Sequence, residues 1–364
     1  MLQRLLSCIT VLFLLGCQSP QSDSLSAGEV SPSLEIRVSV GAEYGDSCYV
    51  FGSIRDACVL QDGRILVLDG ITCRISCYDP DGEFLERVGG SGEGPGEYIR
   101  PFCMTALADG RVVLSDPGLT RMTFLSSDLS VDTIISGFIP WSPERVSPAA
   151  DGSYTGSYRI FDRENSMYGK LIALWSDSPV QDMEYYNRLA PFNRERLRES
   201  TEECEVVFTS DFQGNVYYSP YSYQEFSVVA MDRSGEVLYT IEEQRDPMPR
   251  PVEDIEKERS EMQEQLRNEG ASPEMQWDPS EYREMVPLRG MGIDGEGRLW
   301  VRDGREESPV FDVYNLGEHM FRTALDCEEL QGLDLRVKVH ENGMVAWEPD
   351  PEIFPVLYIL EVEQ

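Results

Sequence analysis

The chain has 364 residues, with 65 Asp and Glu against 31 Lys and Arg, a formal charge of −34. Hydrophobic residues at 41% and aromatics at 10% can fill a core, which excludes global disorder at a length that suits one large domain or two ordinary ones. So much acid argues against nonspecific binding to nucleic acid or to an anionic membrane surface, both of which need cationic patches.

The N-terminus comes first. Residues 1–16 carry one early Arg4 and an apolar run from Ile9 to Leu15, followed by Gly16 and Cys17. The run is far short of the about 20 residues that span a bilayer, so it reads as a signal peptide. Its Leu-x-Gly-Cys ending resembles the bacterial lipobox. That resemblance implies cleavage after Gly16 and diacylation of Cys17, hence a cell-envelope protein held by its lipid, on the periplasmic face or at the cell surface. Residues 17–33, rich in Ser, Pro and Gln, read as a flexible tether. Seven cysteines follow Cys17; an odd number leaves at least one thiol free or paired between molecules, and buried small apolar residues are the expected role.

From residue 34 onward one pattern recurs: a short apolar run, a turn ending in Gly, a second apolar run, often an Asp, then two more short strands. The turn glycines are Gly63, Gly110, Gly152, Gly214, Gly297 and Gly343. Three of the five intervals lie near the 40–50 residues of a propeller period, and the two long ones hold insertions. Six four-stranded units make an all-β, six-bladed β-propeller over residues 34–364. The last unit is one strand short, and residues 34–40 (LEIRVSV) alternate like the strand that completes it. Residues 245–288 form an insertion between blades 4 and 5, with Ile255, Met262 and Leu266 on one stripe of a helix.

In the first two units Asp69 stands five residues before Arg74, and Asp116 five before Arg121. These segments resemble the D-x4-R core of NHL-type propeller repeats. The glycine-rich stretch 89–97 is similar to the inter-blade linker of bacterial six-bladed propeller lipoproteins related to that group. The resemblance implies fold and envelope location, and no single activity.

Signals for chemistry are sparse. The glycine stretch lacks the Lys-Ser/Thr of a phosphate loop, no G-x-S-x-G is present, and His319 and His340 alone cannot form a His₃ zinc site. No catalytic residue, metal ligand or cofactor is assigned. Asp69, Asp116 and Asp303 could ligate an axial cation, as in lactonase-type propellers, but partnership with arginines or backbone amides is the expected role. The chain is therefore expected to be a ligand- or protein-binding module rather than an enzyme. Its alternatives are a propeller hydrolase or lyase of lactonase type with an axial divalent cation, or a scaffold subunit of an envelope complex. Antiparallel order places the second-to-third loops, the inter-blade links and the insertion on one face. There Arg55, Arg100, Arg145, Arg289 and Arg336 each precede an inner strand. These five are the candidate ligand-binding residues of an axial mouth, for an anionic small molecule, a glycan or an envelope protein. The competing role is inter-blade pairing with acids such as Asp69, Asp116 or Asp303.

Overall fold

The computed structural model describes residues 32–363 apart from 269, 273–274, 326, 328–329, 331–332 and 350. The expected signal peptide, Cys17 and the expected tether up to residue 31 lie outside the described residues. Strand β1 (Ser33–Val40) opens the described chain. Blade one is β2 (Ile54–Val59), β3 (Ile65–Asp69), β4 (Arg74–Tyr78) and β5 (Phe84–Gly89); blade two is β6 (Cys103–Ala106), β7 (Val112–Asp116), β8 (Arg121–Leu125) and β9 (Val131–Ser136). Blade three is β10 (Arg145–Pro148), β11 (Tyr154–Asp162), β12 (Met167–Trp175) and β13 (Met183–Pro191). After helix α1 (Leu197–Glu202) comes blade four, β14 (Val206–Ser210), β15 (Val216–Pro220), β16 (Phe226–Met231) and β17 (Val237–Glu243). Helix α2 (Val252–Asn268) precedes blade five, β18 (Met291–Ile293), β19 (Leu299–Arg302), β20 (Val310–Asn315) and β21 (Glu318–Ala324). Blade six is β22 (Arg336–His340), β23 (Gly343–Trp347) and β24 (Leu357–Glu363), with β1 as its outermost strand in the order β1-β24-β23-β22.

The chain is thus a six-bladed β-propeller of six antiparallel four-stranded sheets. Pairing of Leu34 with Val362 and Val40 with Leu357 ties the first strand to the last, which leaves no blade with an incomplete sheet. Counted from Ile54, α2 falls between blades four and five; counted from the blade that contains the first strand, it falls between the fifth and sixth. With the blade that contains β1 counted first, the helix thus lies between the fifth and sixth blades, a small difference from the expected position; the numbering from Ile54 is kept here.

Short strands form here because tight turns return the chain at fixed intervals. All six turn glycines have positive φ, from 71° at Gly152 to 149° at Gly343, a region that L side chains rarely adopt. The core lies between blades. Leu66, Leu68 and Ile75 of blade one pack on Met104, Val112 and Leu114 of blade two, and Trp347 and Leu357 of blade six pack on Ile54 and Val67 of blade one. Each such side chain, once buried, contributes about 1.5–3 kcal/mol. The cysteines join these layers: Cys58, Cys73, Cys77, Cys103 and Cys204 are buried and unpaired.

Candidate axial mouth and adjoining cleft

Inner strands run away from the face where the inter-blade links arrive, so the residue ahead of each strand, or at its start, sits at the rim of the axis. The NHL-like motif fixes that rim. Asp116 Oδ2 accepts from the Ile99 amide at 2.8 Å, and its Oδ1 accepts from the amides of Arg100, Gly118 and Leu119 at 2.9–3.3 Å. Arg121 completes the clamp by donating to the carbonyls of Glu93 and Gly94 at 3.0 Å and to that of Glu97. One carboxylate takes linker amides and one guanidinium takes linker carbonyls, which holds Arg100 at the rim. Asp69 does the same for Gly52 and Ser53, three and two residues before Arg55. Asp303 behaves differently and binds Arg305 and Arg322 through side chains.

None of the five predicted arginines pairs with Asp69, Asp116 or Asp303. Among the described residues Arg55, Arg100, Arg289 and Arg336 make no ion pair at all; Arg145 alone reaches a carboxylate, Glu205, at 3.9 Å. Arg145, Arg289 and Arg336 line an axial cavity of about 70 Å³. Arg55 lies over the Phe102 ring at 5.0 Å. Burial, then the charges of Arg289 and Arg100, lower the pKa of Arg55; burial, then Arg289 and Arg55, lower that of Arg336. In Arg145 burial also lowers the pKa, Glu205 opposes this, and Arg289 adds to it. Arg289 is therefore the hub of a like-charged group. Its backbone has φ = 68°, in a turn closed by Gly290 N–H donating to Pro287 O at 2.7 Å. A position of this kind favours Gly or Asn, and Arg there stores about 1–3 kcal/mol of strain.

Sequence reasoning missed the acids and lysines beneath the mouth. Lys338 Nζ lies 3.0 Å from Asp56 Oδ1 and donates to the Met104 carbonyl at 2.7 Å, while Asp56 Oδ2 accepts from the Met104 amide at 2.9 Å. This ties inner strands of blades six, one and two across the axis. Lys170, 1% exposed, sits between Glu144 at 3.0 Å and Glu205 at 3.2 Å. The lysine count was the available signal: of three lysines in a chain of mostly arginine cations, Lys338 is half-buried in an ion pair at the axial cavity and Lys170 is buried in one further out in blade three. A compact ammonium suits these narrow positions better than a planar fork. His340 is buried; its Nε2 accepts from the Val59 amide at 3.0 Å, and burial pushes its pKa down to about 3, so it is neutral. His319 contacts Asp312 at 3.3 Å. Among the described residues no three His, Cys, Asp or Glu side chains are grouped as metal ligands.

Beside the mouth, the insertion roofs a cleft of about 840 Å³. Ile255, Met262 and Leu266 of α2 share one half-buried stripe, while Glu258 takes Arg250 at 2.7 Å and the Trp277 indole N–H at 2.8 Å. Among the described residues Glu253 and Lys257, which the i,i+4 spacing on this helix would pair, form no ion pair. The cleft is lined by nine acids and five cations, with Tyr221, Tyr223 and Trp277 among them. Arg336 lines both the cleft and the axial cavity, so the two adjoin through one guanidinium.

Residues 43–104 match a family model described as a 6-bladed beta-propeller. No curated protein matches the sequence. Among solved structures, a Bacteroides fragilis protein described as exported is similar over 93% of this chain and 98% of its own, with 14% identity and a TM-score of 0.53. Virginiamycin B lyase from Staphylococcus aureus shares 12% identity over 91% of this chain and 88% of its own, at a TM-score of 0.43. A Bacteroides thetaiotaomicron protein of unknown function shares 12% identity over 91% and 76%, also at 0.43. Identities this low speak to fold alone. The strand order and the matched family model agree that this chain is a six-bladed β-propeller, as its repeats and their resemblance to bacterial propellers imply.

Proposed function

We propose that this chain is an exported, envelope-anchored propeller that binds an anionic group at its axial mouth through Arg55, Arg100, Arg145, Arg289 and Arg336 without transforming it. Export and anchoring rest on the signal-like residues 1–16 and Cys17, and the fold it shares with a protein described as exported is consistent with them. The observation that carries the binding reading is the unpaired state of four of these arginines in a protein of charge −34. Structural arginines this crowded would draw close carboxylates from so acidic a chain, yet Glu205 stays 3.9 Å from Arg145, and Asp334 and Asp56 favour the charge of Arg336 without an ion pair to it. Guanidinium groups grip carboxylate or sulfate bidentately, and the strained backbone of Arg289 fits a residue selected for ligand contact over stability. An axial divalent cation is the weaker reading, because the only carboxylate lining the axial cavity, Asp56, already has Lys338 as its counter-ion.

Titration calorimetry of the mature protein with citrate and sulfate tests this. Wild type should bind with an affinity that falls as salt rises, and Arg289→Gly should weaken binding at least tenfold with an unchanged or raised melting temperature. No binding by wild type, or joint loss of binding and stability in the variant, would sink the proposal.

A further inference from the structure

The charge pattern around Arg336 narrows the ligand. We infer that the site takes a dipolar ligand, a short cationic peptide with a free C-terminal carboxylate, seated with the carboxylate at the arginine mouth and its basic side chains in the cleft under the insertion. This rests on the mouth's role as an anion site.

Three observations converge. First, the cleft and the axial cavity share Arg336, so one extended molecule can occupy both. Second, their charges are opposite. The mouth gathers five arginines, whereas the cleft carries nine acids against five cations. Among those acids Glu284, half-buried, and Asp334, exposed, make no ion pair or hydrogen bond with the described residues and only favour from a distance the charges of Arg302 and, for Asp334, Arg336, whereas others in the same wall are paired, such as Glu202 with Arg198 at 2.6 Å. Third, the cleft has the room and the lining for a chain molecule. At about 840 Å³ it lies within the range of small-ligand sites, and Tyr221 and Tyr223, edge to face at 5.4 Å, give it an aromatic wall. Aliphatic stems of Lys or Arg pack on such rings while their heads reach carboxylates.

The whole protein agrees with this polarity. A surface of −34 repels a polyanion at long range and draws in a net cation, so an anionic group gains access best as one end of a cationic molecule. An acidic glycan would satisfy the mouth but would place its remaining charges against Glu284, Asp334 and Glu261.

Fluorescence anisotropy on the full mature protein decides the matter, with a labelled Lys-Gly-Lys-Gly-Gly free acid, its C-terminal amide and a Glu-Gly-Glu-Gly-Gly free acid, and with citrate and an oligogalacturonate as competitors. The lysine free acid should bind at least tenfold tighter than either relative and than citrate. Glu284→Gln combined with Asp334→Asn should weaken the lysine peptide about tenfold and leave citrate unchanged; Arg289→Gly should weaken both. If citrate binds and the lysine peptide binds no tighter, the dipolar ligand is wrong and the anion mouth stands. If neither binds, both readings fall. Equal binding of amide and free acid, or tighter binding of oligogalacturonate, overturns the peptide assignment.

Discussion

Two arginine clusters in this propeller have opposite characters. Between blades four and five, Arg245 is 5% exposed in its side chain and lies 3.6 Å over the Phe226 ring; it bonds Glu243 at 2.5 Å, Asp312 at 2.9 Å and the Tyr314 hydroxyl at 2.9 Å. Arg305 and Arg322 join it around Asp303, whose carboxyl they hold at a pKa of about 2, against the opposing effect of burial. Every cation there has a counter-charge. At the axial mouth the same residue type is gathered with few counter-charges: Glu205 stands 3.9 Å from Arg145, and Asp56 and Asp334 favour the charge of Arg336 without an ion pair to it. The cations around Asp303 hold the fold by recruiting acids, which a chain with 65 acids supplies readily, whereas the equally structural Arg121 is satisfied by backbone carbonyls. On the proposed function the paired cluster holds the fold and the unpaired one meets the ligand.

That contrast can be broken at four positions. Arg245→Met should have the largest effect, about 3–5 kcal/mol of lost stability in urea denaturation, since it strands buried carboxylates; citrate binding by the folded protein should be unchanged. Asp116→Ala should cost about 2–3 kcal/mol by leaving linker amides without their acceptor, and it should also loosen the mouth, because Arg100 loses its anchor. Arg289→Gly should lie within about 1 kcal/mol of wild type, on the stabilising side, as relief of φ strain outweighs the entropy of glycine. A loss of several kcal/mol there would place Arg289 with the structural cluster.

The fourth position is at the far end of the axis. Glu341 accepts from the Phe212 amide at 2.7 Å, and burial, with Asp211 and Asp294 nearby, pushes its pKa up to about 7 from 4.5. The folded state then holds the proton more tightly than the unfolded chain. Stability from this group is fully present below pH 4.5 and is lost as pH rises through about 7. Glu341→Gln should flatten that slope and gain roughly 1 kcal/mol or less at pH 8, discounted for partial exposure, as read from melting temperature against pH.

The repeats were legible because tight turns need Gly at Gly63, Gly110 and their counterparts, and because Asp69 and Asp116 keep a fixed distance from Arg74 and Arg121. Blades three to five were harder, since long strands such as β11 and β12 and the insertion break the period. At the site, spacing put each arginine near the start of its inner strand; Arg100 and Arg289 do precede β6 and β18, whereas Arg145 and Arg336 open β10 and β22 and Arg55 is the second residue of β2. Whether each was paired could not be read from spacing, because that depends on contacts between residues far apart in sequence, such as Asp56 and Lys338. Asp303 shows the limit: it stands where Asp69 and Asp116 stand, yet arginines supplied by the insertion and by blade five take its oxygens.

The closing strand has one more consequence. β1 runs as a fourth strand, so Ser33, opposite Glu363, begins at the face where the turn glycines lie, and Val40 ends at the face of the arginine mouth. The described chain therefore enters the propeller on the face opposite the arginine mouth and reaches the mouth's face only at the end of this strand, so a label attached at Ser33 would sit on the far side of the sheet from any ligand at the mouth.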